Sequence, residues 1–236
     1  MIKLITFDLD NTLWDVEAIV VRAERRMRAH IAEAHPEFVA RYDLRELSRL
    51  RTDVARDRPD LAHDLTWLRR EVLRRAFAEG GYDEVAAVAA ADTAFEEYFD
   101  ERNRVEYFAG VLETLEALAA EFELHALSNG NADIRRVGLG HLFRHHFSAI
   151  SVGAAKPDPR MYRAALEAAG VAPHEALHVG DHPEQDIAAA AALGMRTVWV
   201  NFTDQVWPAL PRPDGEISEF AELLPLLRRL QEAGSA

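Results

Sequence analysis

The sequence lacks cysteine and has no long apolar run, and each absence excludes a class of site or protein. Without cysteine the chain forms no disulfide and no thiolate metal site, so any metal is held by carboxylate, carbonyl or imidazole groups. Among these donors, oxygen ligands favour a hard cation such as Mg²⁺. The richest apolar run, residues 187–195, is far shorter than the roughly 18 residues of a membrane-spanning helix, and Asp8 interrupts the apolar N-terminal stretch. We therefore expect a cytoplasmic protein with no membrane partner.

Positive charge is also scarce. The 236 residues include 27 Lys and Arg against 40 Asp and Glu, a formal net charge of −13. This excess argues against a nucleic-acid partner, because phosphate backbones attract positive surfaces, but it leaves room for a small anionic substrate in a local positive site. Only Lys3 and Lys156 are lysine among the 27 basic residues, so each lysine is a candidate for a specific role. Nothing in the sequence specifies an oligomeric state.

The spacing of apolar residues changes along the chain. Residues 3–7 form a short β-branched and aromatic run, which predicts a buried strand. Within residues 15–102 apolar residues recur at spacings of three and four, which predicts helices throughout. Beyond Phe108 predicted strands alternate with predicted helices, as in an α/β fold with a doubly wound, Rossmann-like parallel sheet. We expect a core domain of residues 1–14 and 103–236, with an all-helical domain of residues 15–102 inserted after the first strand.

The second part of the chain has the following predicted elements. Strands are expected at residues 124–127, 149–152, 176–179 and 197–200, and helices at residues 111–120, 159–169, 184–193 and 220–231. Short helical turns are expected between residues 132 and 143. Residues 202–215 contain several prolines without clear periodicity, which predicts a loop.

Polar clusters follow the predicted strands, at the sheet edge where open α/β folds bind ligands. They are Asp8-Leu-Asp10-Asn-Thr12, Ser128-Asn129-Gly130, Lys156-Pro157, and Gly180-Asp181 with Asp186 five positions later. Carboxylates two positions apart at a strand end point to the same side, so Asp8 and Asp10 can address one substrate group together. This arrangement suits phosphoryl transfer through an aspartyl-phosphate, with Asp8 as nucleophile and Asp10 as general acid and base.

The other polar residues have predicted supporting roles. Asp8, Asp181 and the backbone carbonyl of Asp10 are candidate Mg²⁺ ligands. Asp186 is expected to contact and hold the residues that bind the metal, or to stabilise the N-terminal end of its helix. The candidate phosphate-binding residues donate hydrogen bonds or positive charge; they are Ser128, Asn129, Lys156 and Thr12, and Thr12 is also expected to orient Asp10.

At these residues the sequence resembles the haloacid dehalogenase superfamily of phosphatases that carry a helical cap. FDLDNTLW at residues 7–14 is similar to the first motif of that superfamily, and the three other clusters are similar to its second, third and fourth motifs. The resemblance implies Asp8 as nucleophile, Asp10 as acid and base, Asp8, Asp10 and Asp181 as Mg²⁺ ligands, and Ser128 with Lys156 as phosphate-binding residues. It also implies that residues 15–102 form the cap.

Finer features resemble the bacterial branch that dephosphorylates 5-amino-6-(5-phospho-D-ribitylamino)uracil, and often FMN. They lie in residues 60–69, 128–131 and 138–140. By this resemblance His63, Thr66 and Arg69 are candidate substrate contacts, although their spacing of three equally fits a structural or solvated helix face. Residues 152–156 form a shorter loop than in that branch.

The sequence thus predicts an Mg²⁺-dependent phosphatase acting on a small phosphorylated metabolite. A phosphomutase on the same scaffold and a non-catalytic phosphate-binding or phosphoacceptor protein are the alternatives. Release of a halide needs no proton donor, so Asp10 argues against a dehalogenase. His141 and His145 lie four positions apart on a possible helix, but two histidines without a third ligand do not predict a metal site.

Overall fold

A computed structural model describes residues 1–233, and the chain divides into two compact units. The α/β unit contains Met1–Asp15 and the chain from Glu106 onward, and the helical unit is Val16–Val105. Among residues 1–233, no helix combines the length and the apolar character that crossing a bilayer requires.

The α/β unit is built on a parallel sheet of six strands in the order β3-β2-β1-β4-β5-β6. The strands are β1 (Leu4–Phe7), β2 (Glu123–Ser128), β3 (His145–Ser148), β4 (Ala176–Gly180), β5 (Arg196–Val200) and β6 (Gly215–Ile217). The central strand β1 is completely buried, as its apolar sequence predicts, and helices cover both faces of the sheet. The predicted doubly wound α/β fold is therefore confirmed.

The helical unit contains five α-helices with a core of their own. They are α1 (Val16–Ala34), α2 (Pro36–Arg41), α3 (Leu44–Asp57), α4 (Leu65–Glu79) and α5 (Glu84–Arg102), with a short 3₁₀ turn at Pro59–Leu61. Three of them begin at an aspartate whose carboxylate accepts backbone N–H bonds of the first turn, namely Asp43, Asp64 and Asp83. Buried apolar side chains from these helices, including Met27, Phe77 and Phe95, form the core of the unit.

The remaining helices connect and cover the strands of the α/β unit. They are α6 (Val111–Ala119), α7 (Ala149–Val152), α8 (Arg160–Ala169), α9 (Ala189–Ala191) and α10 (Leu223–Ala233), with 3₁₀ turns at Pro173–Glu175 and Phe220–Glu222. A π-helix, Pro183–Ala188, precedes α9, so the helix expected at residues 184–193 is α-helical only in part.

Two expectations for the sheet are wrong. The strand expected at residues 149–152 is the helix α7, and the strand lies directly before it, at β3. Ser148 and Ser151 form a reciprocal capping box that starts a helical turn, and Gly153 ends it with a φ of 72°. The edge strand β6 was not expected, because three residues after a proline-rich loop carry too little periodicity to indicate a strand.

Candidate active site

The polar residues singled out in the sequence meet at the carboxyl edge of the sheet. Asp8 directly follows β1, Ser128 ends β2, and Asp181 directly follows β4. Because β1 lies between β2 and β4, with Phe7 in register with Ala126 and Val179, these strand ends are neighbours. Lys156 reaches the same edge from the segment between α7 and α8 rather than directly from a strand.

The turn after β1 brings Thr12 back toward the sheet. Asn11 has a φ of 62°, a left-handed conformation that Asn tolerates better than most residues, and Leu13 N–H donates to Leu9 O at 2.8 Å. As a result Thr12 Oγ1 lies 3.3 Å from Asp8 Oδ2 and 3.1 Å from Asp181 Oδ1. Thr12 is therefore placed to orient Asp8 and Asp181, whereas it was expected to orient Asp10.

Asp10 has a different partner. Its Oδ1 accepts a hydrogen bond of 2.8 Å from Trp14 Nε1. Trp14 is completely buried, and its backbone bridges to Asp10 and Tyr107. A rigid indole thus fixes one carboxylate oxygen of Asp10.

Lys156 joins two buried carboxylates. Its Nζ donates to Asp8 Oδ1 at 2.5 Å, to Asp186 Oδ1 at 2.6 Å and to Leu127 O at 3.0 Å. Asp8, Lys156 and Asp186 are 7%, 4% and 1% exposed. A charge that is this well buried is stable only when paired, so the three side chains form one electrostatic unit.

The pKa shifts show how this unit shares its charge. Burial would raise the pKa of Asp186, but the Lys156 ammonium and a hydrogen bond from His178 hold it well below its usual value. Burial raises the pKa of Asp8 well above 3.8, with repulsion from Asp186 and Asp181 adding to the effect and Lys156 opposing it. Burial would lower the pKa of Lys156, but both carboxylates raise it above its usual value. Asp186 is therefore the more readily ionised of the two carboxylates, and further positive charge near Asp8 would favour its ionised form.

Asp186 is held from three directions. Besides Lys156, its Oδ1 contacts His178 Nε2 at 3.2 Å, and its Oδ2 accepts from His182 N–H at 3.0 Å. His178 is buried, and its Nδ1 lies 2.8 Å from Thr6 Oγ1. Gly180 makes this approach possible, because a Cβ at that position would lie 2.5 Å from Asp186 Cγ.

In the cluster after β2, the side chain of Asn129 holds the backbone of Lys156. Asn129 Oδ1 accepts from Lys156 N–H at 2.7 Å, and Asn129 Nδ2 donates to Lys156 O at 3.0 Å and to Gln185 Oε1 at 2.9 Å. The Asn129 side chain thus holds the backbone of Lys156, and a phosphate contact of the Asn129 backbone amide stays a prediction. Ser128 is buried, and its Oγ accepts from Gly130 N–H at 3.0 Å, so its own hydroxyl proton remains available to a ligand.

The acidic residues fit a divalent cation. Carboxylate oxygens of Asp8, Asp181 and Asp186 lie within 4.8 Å of one another. The three carboxylates bring three negative charges when ionised, against the single charge of Lys156. Burial and the neighbouring Asp186 raise the pKa of Asp181 to about 6. Carboxylate oxygens are the ligands that Mg²⁺ prefers, and a bound cation would offset the effects of burial and mutual repulsion, which raise the pKa of Asp8 and Asp181. Asp186 is already engaged by Lys156.

The candidate substrate contacts His63, Thr66 and Arg69 lie in the helical unit. Arg69 forms an ion pair with Glu24, and its guanidinium lies 3.7 Å from the centre of the Tyr98 ring. These contacts hold the Arg69 side chain within the helical unit, and the substrate contacts of His63, Thr66 and Arg69 stay predictions. His145 lies on strand β3, so the helix considered for His141 and His145 does not form there.

Sequence reasoning missed several residues that support the site. Asn129 and Thr12 were expected at the site, but the bonds of Asn129 to Lys156 and of Thr12 to Asp181 span long stretches of chain, and no local signal indicates them. His178 gave a weak signal, a histidine inside an apolar strand. Trp199 gave no signal, although its Nε1 donates to Asp181 O at 2.7 Å.

Known proteins resemble this chain over most of its length. A 5-amino-6-(5-phospho-D-ribitylamino)uracil phosphatase, YigB of Escherichia coli K12, is 33% identical over 230 residues, which cover 96% of each chain. A glyceraldehyde 3-phosphate phosphatase of Methanopyrus kandleri is 30% identical over 245 residues and covers 98% of this chain and 99% of its own length.

A solved structure is also similar. It is the structure of a 2-haloacid dehalogenase from Pseudomonas syringae pv. Tomato DC3000, with a TM-score of 0.94 and 41% identity, covering 98% of this chain and 100% of that chain. The model of the haloacid dehalogenase-like hydrolases matches residues 2–194, which include all four polar clusters. The resemblance carried by the motifs is therefore confirmed, and the chain is an enzyme that belongs to the haloacid dehalogenase-like hydrolase family.

Proposed function

We propose that this protein is an Mg²⁺-dependent phosphatase that hydrolyses small phosphate monoesters through an aspartyl-phosphate on Asp8. The observation that carries the proposal is the grouping of the buried Asp8 and the half-buried Asp181 around Thr12, with the Lys156 ammonium 2.5 Å from Asp8. Relatives named as phosphatases that match nearly the whole chain support the same class of reaction.

In the first step a carboxylate oxygen of Asp8 attacks phosphorus, and the bond from phosphorus to the leaving oxygen breaks. Asp10 donates a proton to that oxygen, which departs as an alcohol. In the second step Asp10 takes a proton from water, and the water oxygen attacks phosphorus and releases Asp8 with inorganic phosphate. Ser128 and Lys156 donate hydrogen bonds to the phosphoryl oxygens, where negative charge is spread in the transition state.

Asp8, Asp181 and the backbone carbonyl of Asp10 would hold the Mg²⁺ ion. When bound, the ion keeps Asp8 ionised and offsets negative charge on the phosphoryl group. Asp186 serves this site through Lys156, since its two oxygens already accept three hydrogen bonds. Trp14 holds Asp10 in one orientation, which suits a group that must release and regain a proton.

For the substrate we propose 5-amino-6-(5-phospho-D-ribitylamino)uracil or a related flavin-pathway phosphate such as FMN. The support is the 33% identity to YigB across 96% of both chains, together with the features of residues 60–69 that the sequence shares with that branch. The helical unit acts as the cap in this proposal, with His63, Thr66 and Arg69 as its predicted substrate contacts. Its role is to exclude water and select the leaving group.

Dehalogenation is a second candidate, because the similar dehalogenase structure is 41% identical. Dehalogenation and phosphate-ester hydrolysis differ in their leaving groups. A halide departs without a proton, whereas an alkoxide needs one, and Asp10 with its Trp14 hydrogen bond is suited to supply it. The chemistry of Asp10 therefore favours the phosphatase.

The test measures release of inorganic phosphate from para-nitrophenyl phosphate and from a panel that includes the ribitylaminouracil phosphate, FMN, phosphoserine and glyceraldehyde 3-phosphate. Halide release from 2-haloacids is measured in parallel. We expect Mg²⁺-dependent phosphate release that is lost in Asp8→Asn and retained in Asp204→Asn, a control at an exposed loop residue of the same unit. Retained turnover in Asp8→Asn, or halide release in place of phosphate release, would overturn the proposal.

A further inference from the structure

A second cluster of metal-ligating side chains lies on the same sheet, away from the carboxyl edge. Glu123 and His125 are two positions apart on β2, so they share one face of that strand. His145 begins the edge strand β3 and is in register with His125, which places it on the same face. His125 precedes Ser128 by three residues, or about 10 Å of extended strand. The cluster is therefore separate from the candidate active site.

The three side chains are close enough to share one ion. One ring nitrogen of each histidine and one Glu123 oxygen lie within 4.8 Å of one another. His125 Nε2 is 2.7 Å from Glu123 Oε1, and the His125 and His145 rings meet edge to face with centres 4.8 Å apart. Ligands of a tetrahedral Zn²⁺ at about 2.0–2.2 Å lie about 3.4 Å apart, so a pair of ligand atoms at the 4.8 Å limit must approach by about 1.4 Å, and Glu123 must move away from His125 by about 0.7 Å. Its side chain is 33% exposed and has room to do so.

The protonation state and the charge also suit a cation. Burial lowers the pKa of the completely buried His125 in spite of its contact with Glu123, which favours the neutral ring, and an ion that replaces this contact would bind Nε2 in the tautomer protonated at Nδ1. Within residues 1–233 its Nδ1 atom is buried without a hydrogen-bond partner. Arg144 is the cation that faces Glu123, but its Nε lies 3.9 Å from Oε2 and its side chain is 70% exposed, so it competes weakly.

We propose that Glu123, His125 and His145 form a binding site for a divalent transition-metal ion of the Zn²⁺ or Co²⁺ class. Two imidazoles and one carboxylate are typical ligands of these ions, whereas Mg²⁺ prefers oxygen ligands alone. Three protein ligands leave one position of a tetrahedral ion open to water. Because His145 belongs to the edge strand, an ion at this site links β3 to β2.

The experiment is a Co²⁺ titration of the full-length, untagged protein, followed by visible absorption and calorimetry in excess Mg²⁺. Excess Mg²⁺ occupies the acidic cluster of the candidate active site and leaves the histidine cluster free. We expect one Co²⁺ site per chain, with a dissociation constant about 10–100-fold weaker in His145→Ala and in Glu123→Gln. The matched control is His141→Ala, a neighbouring exposed histidine outside the cluster, which should bind as the wild type does.

Asp181→Asn separates the two metal sites. Unchanged Co²⁺ affinity in this variant supports the histidine site, and loss of the Co²⁺ signal assigns that signal to the acidic cluster and overturns the proposal. Equal affinity in His145→Ala and wild type also overturns it, and Glu123 is then only a hydrogen-bond acceptor for a buried histidine. Circular dichroism checks folding, and His145→Asn replaces His145→Ala if the alanine variant does not fold.

Discussion

The crowded carboxylates of the active-site edge predict that Asp181 contributes less to the stability of the metal-free protein as pH rises. The pKa of Asp181 is about 6 in the folded protein, against a usual value of 3.8. Between these values the folded state binds more protons than the unfolded state, so the contribution of Asp181 to stability is fully present below about pH 3.8 and is lost as pH rises through about 6. The interval of about 2.2 pKa units corresponds to at most about 3 kcal/mol of the free energy of unfolding. Asp8, whose pKa is also raised, acts in the same direction.

The measurement is urea unfolding in the presence of EDTA at about pH 4.5, 6 and 7.5, followed by circular dichroism. Wild type, Asp181→Asn and Asp204→Asn are compared, because all other titrating groups are shared and cancel in the differences. Asp181→Asn should gain up to about 2 kcal/mol relative to wild type between the lowest and the highest pH, because this range covers about 1.5 of the 2.2 pKa units, and Asp204→Asn should follow the wild type.

Addition of Mg²⁺ extends the same prediction. The ion competes with protons for the carboxylates, so it should stabilise the wild type more at about pH 7.5 than at about pH 4.5. The stabilisation should be smaller in Asp181→Asn. An identical pH dependence of wild type and Asp181→Asn would refute the assignment of charge given above, as would a wild type that gains stability relative to Asp181→Asn on raising the pH.

Three further variants probe the positioning of the charged groups. Gly180→Ala should lower turnover at least about 10-fold and lower the free energy of unfolding by about 1–3 kcal/mol, because the added methyl group displaces Asp186. Steady-state kinetics and urea unfolding measure the two effects. Lys156→Met should abolish turnover and lower the free energy of unfolding by about 3–5 kcal/mol at neutral pH. The loss should be smaller in acid, where the two carboxylates that Lys156 joins are protonated in the variant, and urea unfolding at two pH values measures the difference. Trp14→Phe removes the hydrogen bond to Asp10, so kcat should fall more for an alkyl phosphate than for para-nitrophenyl phosphate, whose acidic leaving group needs less protonation.

The fold was predictable where a strand is buried on both faces. Such strands appear as short apolar runs, and β1, β2, β4 and β5 do so. The strand β3 has two histidines and an edge position, so its pattern is weaker than that of the β-branched residues that follow it. There the capping box of Ser148 and Ser151 determines the local structure, and hydrophobicity does not indicate a cap.

The sequence predicts which residues lie at the site, but it does not predict the hydrogen bonds between them. Carboxyl ends of adjacent parallel strands meet at one edge, so polar residues at those ends indicate a shared site from the sequence alone. The partners of each side chain depend on contacts across long stretches of chain. Lys156 is 148 residues from Asp8 and 27 from Asn129, and no local pattern specifies that its ammonium bridges two carboxylates while its backbone is clamped by an amide.

The proposed reaction explains why three carboxylates are crowded at this site although they disfavour one another's ionisation. A nucleophilic carboxylate must be ionised, yet Asp8 is buried beside two other acids, and one ammonium cannot balance all three. Full neutralisation by protein side chains would require two further buried cations, and these would hold Asp8 in an ion pair and reduce its ability to attack phosphorus. An exchangeable divalent ion would supply the two positive charges instead and would also offset negative charge on the phosphoryl group. The stability that Asp181 is expected to lose as pH rises through about 6 is therefore, in the proposed mechanism, a consequence of keeping Asp8 available as the nucleophile.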